Sequence, residues 1–199
     1  MSILEAARIP RRIRPTAAAA ILVTLSACSG TNPVGPYSPR DADARDSTRA
    51  QILTNAAVAA ADLDAASSEQ LLRDALTADL YFGPAHNNLG VLFFRQGKLY
   101  EAANEFEWAR KLMPGHPDPR LNLALVLERA GHTAEAFTAY ESALEVAPEH
   151  VPTMQAYARL AVREGRNDEK VDSLMRSVAL RGETETWRVW AQEQLARRP

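Results

Sequence analysis

The chain repeats itself after 34 residues, and that period limits what it can fold into more than any other feature. Setting residues 84–116 against 118–150 gives ten identities: Asn88/Asn122, Leu89/Leu123, Arg95/Arg129, Gly97/Gly131, Glu101/Glu135, Ala102/Ala136, Glu107/Glu141, Ala109/Ala143, Pro114/Pro148 and His116/His150. Unrelated segments of ordinary composition would share roughly two. A unit this short cannot bury an apolar face alone, so each copy must stack on the next to make a core. Within the unit, Leu89 and Phe93 are four residues apart on one helix face, and Ala102, Phe106 and Ala109 share a face of the next helix. The small Gly90 and Ala102 let the two backbones approach. Gly97, Gly131 and Gly165 recur where the first helix must stop, because a left-handed end residue is easiest without a side chain. Pro114 and Pro148 end the second helix. Aromatic content of 7% and the absence of β-branched runs agree with an all-α chain.

The spacing resembles the tetratricopeptide pattern. Its positions are His86, Leu89, Gly90, Phe93, Ala102, Phe106, Ala109 and Pro114 in one unit, then Arg120, Leu123, Ala124, Leu127, Ala136, Tyr140, Ala143 and Pro148. The resemblance implies a right-handed helical-repeat solenoid of antiparallel helix pairs. A further unit places Met154, Tyr157, Ala158, Ala161 and Gly165 on motif positions, then departs with Lys170 for alanine, Leu174 for the aromatic and Gly182 for proline. Upstream, Ser68, Leu72, Ala75 and Leu80 fall one period before Ala102, Phe106, Ala109 and Pro114, after an alanine-rich helix around Ile52 to Ala61. The expected repeat domain is 48–182, about four helix pairs, with 84–116 and 117–150 most regular. Residues 183–199 read as a C-terminal capping helix with Trp187, Trp190, Ala191 and Leu195 on one face. The Trp pair as a docking surface is the alternative.

The amino terminus has a different grammar. Residues 1–27 carry Arg8, Arg11, Arg12 and Arg14 against Glu5, followed by an eleven-residue apolar run, too short to span a bilayer and laid out like a signal peptide. Leu25-Ser26-Ala27-Cys28 resembles the lipobox of bacterial lipoproteins, which implies cleavage before Cys28, lipidation of its thiol and stable membrane attachment. Ser29 in the next position resembles the default for outer-membrane export in the best-studied didermic bacteria, so the implied location is the cell envelope, on the periplasmic face of the outer membrane. Residues 28–47, rich in Gly, Pro, Ser and Asp, read as a linker reaching roughly 25 Å.

Composition narrows function by exclusion. The formal charge is -2, of which residues 1–27 contribute +3, leaving -5 for 28–199 and no basic footprint for nucleic acid. One cysteine excludes an intrachain disulfide and paired-cysteine zinc sites. His86, His116, His132 and His150 form no metal-binding pattern and read as solvated, as do Glu101, Glu105 and Glu107 beside Arg110 and Lys111. No catalytic constellation, metal site or cofactor is expected, and the chain reads as no enzyme.

The tetratricopeptide resemblance implies a concave groove lined by the first helices of successive repeats, taking a peptide or helix from a protein partner. The residues expected to line it are Asn87, Asn88, Val91, Phe94 and Arg95, then Leu121, Asn122, Leu125, Glu128 and Arg129, then Arg159 and Arg163. Arg95 and Arg129, one period apart, suit an acidic ligand. The terminal-carboxylate clamp of chaperone adaptors is not expected, because Asn87 and Val91 stand where a lysine and an asparagine are required. The sum is a membrane-anchored adaptor or scaffold of the bacterial envelope. The alternatives are a soluble intracellular adaptor and a noncatalytic subunit of an enzyme complex.

Overall fold

The computed structural model describes residues 45–197. The segment expected to be a signal peptide, 1–27, Cys28 and the expected linker up to residue 44 lie outside the described residues. Within them the chain forms nine α-helices and no strand: α1 Ser47–Ala60, α2 Ala65–Ala78, α3 Gly83–Arg95, α4 Leu99–Leu112, α5 Asp118–Arg129, α6 Thr133–Val146, α7 Val151–Arg163, α8 Glu169–Arg181 and α9 Glu185–Ala196. This is an all-α, tetratricopeptide-like solenoid. None of the described helices is long and apolar enough to cross a membrane.

The helices pair in sequence, α1 with α2, α3 with α4, α5 with α6 and α7 with α8, and α9 closes on α8. First helices also touch one another, α1 with α3, α3 with α5 and α5 with α7. The first helices therefore crowd together on the inner, concave side, and the second helices splay along the outer one. Ala85, Leu89, Ala102, Phe106 and Ala109 are buried in one repeat, and Ala124, Ala136, Tyr140 and Ala143 in the next. A Cβ on Gly90 would sit 2.7 Å from the Phe106 ring, so the α3–α4 approach depends on its missing side chain.

Gly97, Gly131 and Gly165 have φ of 77°, 85° and 68°. At each, the glycine N–H and the next N–H donate back into the helix just ended; Gly97 N donates to Phe94 O at 3.1 Å and Lys98 N to Phe93 O at 2.9 Å. This is the left-handed stop that glycine favours, used three times.

The last pair departs from the sequence expectation. A strict 34-residue register puts Lys170 and Leu174 in the core. Instead α8 buries Val171, Met175 and Val178, each one position later. The turn is longer by two residues: only His132 separates Gly131 from α6, but Arg166, Asn167 and Asp168 separate Gly165 from α8, so α8 starts two residues late and its buried face falls one position late. Asp168 caps the delayed helix by accepting from Val171 N at 3.0 Å, which lowers its carboxyl pKa. Lys170, turned outward, pairs with Glu141 at 2.6 Å. The unit is displaced by one residue rather than degraded.

The solenoid's start also extends into the segment read as linker. Asp46 caps α1 by accepting from Arg49 N at 2.8 Å. Asp79, 2% exposed, accepts from Ser47 Oγ at 2.6 Å, Arg45 Nε at 3.1 Å and Tyr81 N at 3.0 Å. Burial works against this carboxylate, but the donors outweigh it and its pKa falls below the usual range. At the other end α9 buries Ala191 and packs Trp187, Trp190 and Leu195 against the core, the two indoles edge to face at 5.3 Å.

Candidate functional site

The residues expected to line the groove fall into an amide ladder and two separate recesses, and one of them is core. Asn122 Nδ2 donates to Asn87 Oδ1 at 3.0 Å, and Asn87 Nδ2 faces Asn88 Oδ1 at 3.5 Å, an amide ladder across α5 and α3. Leu121, expected at the surface, is 9% exposed and belongs to the core. Asn88, Val91 and Arg95 line a recess of about 190 Å³ with Val58, Asp62 and Leu72. Arg95 is tied there to Asp62 at 2.8 Å, so the two arginines expected to act alike have different partners.

Arg129 has its guanidinium 5.2 Å over the Phe94 ring, and no carboxylate among the described residues pairs with it. Beside it lies a recess of about 430 Å³ lined by Phe94, Leu125, Glu128, Arg129, Arg159 and Arg163. Glu128 is a hub: its carboxylate accepts from Tyr140 Oη at 2.6 Å, Arg159 at 3.1 Å and Arg163 at 2.9 Å. Burial and the bond to Glu128 push the Tyr140 hydroxyl pKa well up, so it stays a donor. Arg163 also pairs with Glu164 at 3.1 Å, so three guanidinium groups stand beside two carboxylates, an excess of one positive charge, and Arg129 is the one of the three that no described carboxylate pairs.

Two groups read as solvated are interior. His86, 2% exposed, donates from Nε2 to Leu80 O at 2.9 Å, and its Nδ1 shares a 2.6 Å hydrogen bond with Glu105, itself 7% exposed. Trp108 stacks on the imidazole at 5.7 Å with 15° between the rings. Part of the signal was available, since His86 occupies the bulky motif position; its pairing with Glu105 and Trp108 of α4 shows only in the fold. His150 is half-buried between Asp118 (3.2 Å) and Thr153 (2.8 Å), and His116 and His132 lie exposed near turns. Among the described residues no cluster of three or more His, Cys, Asp or Glu could hold a metal.

The outer surface holds a further recess, of about 330 Å³, between α4 and α6 over α5. Its walls are Arg110, Arg120, Leu123, Glu135, Thr138, Ala139 and Ser142. Arg120 donates to Ser142 Oγ at 3.1 Å and to His116 O at 3.2 Å. Arg110 is held by Glu107 at 2.7 Å.

Comparison with known proteins agrees with this geometry. A family model described as tetratricopeptide repeat matches residues 117–160. Mouse tetratricopeptide repeat protein 8 is 31% identical over 93 residues, 47% of this chain and 18% of that protein; the human protein is 29% identical over the same length and 17% of it is covered. The chain thus spans under a fifth of these relatives. Among solved structures, a tetratricopeptide repeat protein from Parabacteroides merdae aligns with TM-score 0.61 at 22% identity, over 74% of this chain and 59% of that one. The first tetratricopeptide domain of Spaghetti (RPAP3), solved with an HSP90 peptide, aligns with TM-score 0.57 at 17% identity, over 62% and 98%. The fold these comparisons support is the tetratricopeptide-like helical-repeat solenoid.

Proposed function

We propose that the chain is a noncatalytic adaptor whose concave face holds an acidic segment of another protein, and that Cys28 carries a lipid that keeps it at the envelope membrane. The observation that carries the first half is the excess of guanidinium groups around Phe94 and Leu125 in a chain whose part after residue 27 is acidic. A partner carboxylate gains charge-assisted hydrogen bonds there, and an adjoining apolar side chain packs on Phe94 and Leu125. Arg129 is the cation best placed to receive it, since Glu128 already occupies Arg159 and Arg163. The lipobox-like Leu25-Ser26-Ala27-Cys28 carries the second half.

Two experiments test the halves separately. A photocrosslinker at Leu125 should capture a partner in membrane extracts, and Arg129→Glu should cut that yield about tenfold, the scale of a single charge-assisted hydrogen bond. Unchanged capture by the Arg129→Glu protein overturns the acidic-segment reading. Labelled palmitate should enter the wild-type chain and not Cys28→Ala; label that persists in the variant overturns the anchor. A cytosolic pool of leader-bearing mass would favour the soluble alternative.

A further inference from the structure

The outer recess between α4 and α6 has an internal precedent. One period earlier, Arg120, Ala139 and Ser142 correspond to His86, Glu105 and Trp108. There the chain covers α3 with its own indole, Trp108 lying flat on His86 at 5.7 Å. In the second repeat the same pair of positions stays in contact, Arg120 to Ser142 at 3.1 Å, but the indole is replaced by a hydroxymethyl group. The place of one large flat side chain is left as the recess over Leu123 and Ala139.

We propose that this recess is a second binding site, distinct from the groove, and takes an aromatic side chain, foremost the indole of tryptophan, presented by a partner protein. The floor is aliphatic, Leu123 and Ala139. The wall is cationic: Arg120 and Arg110 spend N–H groups on Ser142, His116 O and Glu107, which fixes both planar groups beside the floor. A fixed guanidinium over an apolar floor complements the negative face of an aromatic ring, and favours a ring over an aliphatic side chain of the same bulk. At the rim, Glu135 and Thr138 supply acceptor oxygens for an indole N–H, which selects tryptophan over phenylalanine. Thr138 Oγ1 spends its proton on Ala134 O at 3.3 Å and is left as an acceptor, and Glu135 has one oxygen beside His132 Nδ1 at 3.3 Å and the other to offer.

The test uses the full chain and N-acetyl-tryptophanamide, followed by methyl NMR of Leu123 and Ala139. Saturable shifts are expected with a dissociation constant on the order of 1 mM, as suits a fragment-sized ligand. N-acetyl-phenylalaninamide should bind several-fold more weakly, and the leucine amide more weakly again. Ser142→Trp, which refills the recess from within as Trp108 does, should abolish the shifts. Should that variant fold poorly, Ala139→Leu blocks the floor instead. Arg120→Gln should weaken binding several-fold. Absent shifts in the wild type, shifts that persist in the filled variants, or equal affinity for the leucine amide would each overturn the proposal. None of these outcomes bears on the groove, whose test rests on Arg129.

Discussion

The two central repeats share ten identities and nearly the same helices, but they differ in what fills the space beneath the outer surface. In α3–α4 the space is closed by a buried imidazole–carboxylate pair under a tryptophan: His86, Glu105 and Trp108. In α5–α6 the corresponding Arg120, Ala139 and Ser142 leave it open. The identical residues include those that set the turns, Gly97/Gly131 and Pro114/Pro148, and the small pair Ala102/Ala136; the differing ones set what a repeat has left to offer. A repeat that closes itself contributes stability, and one that does not contributes a site. Solenoid stability is nearly a sum over neighbouring units, so the second repeat can stay open because the first is closed beside it.

The sharpest test of the difference is to remove the hub on each side. His86→Ala takes a hydrogen-bonding ring away from a buried carboxylate and should lower unfolding stability by about 3–5 kcal/mol in urea titration. Arg120→Ala gives up hydrogen bonds at a half-exposed surface and should cost about 1 kcal/mol or less. Equal losses would mean that the repeats are energetically alike despite their contents. Next in size is the approach of the paired helices. Gly90→Ala drives a Cβ to within 2.7 Å of the Phe106 ring and should cost about 1–3 kcal/mol, although alanine is the better helix former. In the second repeat the corresponding residues are Ala124 and Tyr140, both buried, so alanine is already accommodated there and the penalty belongs to the first repeat alone. Smaller again, Trp108→Ser, which makes the first repeat imitate the second, should cost about 1–2 kcal/mol, because the indole is 46% exposed and gives up only its buried face.

Much of the architecture was readable from the sequence because glycine, proline and alanine act through the backbone. Gly97, Gly131 and Gly165 mark their turns with no help from the rest of the chain, and all three have positive φ. What could not be read depends on interactions between distant residues. The delayed α8 turns on how Arg166, Asn167 and Asp168 are absorbed in one turn, and a fixed 34-residue frame has no place for them. His86 and Glu105 looked solvated because charged residues usually are; only the facing positions on α3 and α4 make them partners. The groove shows the same limit. Arg95 and Arg129 are equivalent in sequence, but Asp62, in the turn after α1, exists only beside the first.

Glu107 and Glu141 differ most mildly between the two repeats. They are the same residue one period apart, yet Glu107 pairs within its own helix, with Arg110 at 2.7 Å, while Glu141 reaches forward to Lys170 on α8 at 2.6 Å and accepts from Tyr157 Oη at 3.2 Å. The bond from Lys170 is the main reason that the Glu141 carboxyl pKa falls below its ordinary value, and burial, helped by Glu141, pushes the Tyr157 hydroxyl up to about 12. A carboxylate with a depressed folded-state pKa stabilises the fold above its unfolded pKa, and that contribution is lost as pH falls through the folded value. Acid titration should therefore protonate Glu141 later than an ordinary glutamate, by carboxyl NMR. Lys170→Ala should move its midpoint back up towards the ordinary value while changing unfolding stability by only a few tenths of a kcal/mol, since both partners are more than a third exposed. If the midpoint stays low without Lys170, the carboxylate is held down by groups outside α8, Tyr157 of α7 among them, and the displaced register of α8 would then do nothing for the charge of its neighbour.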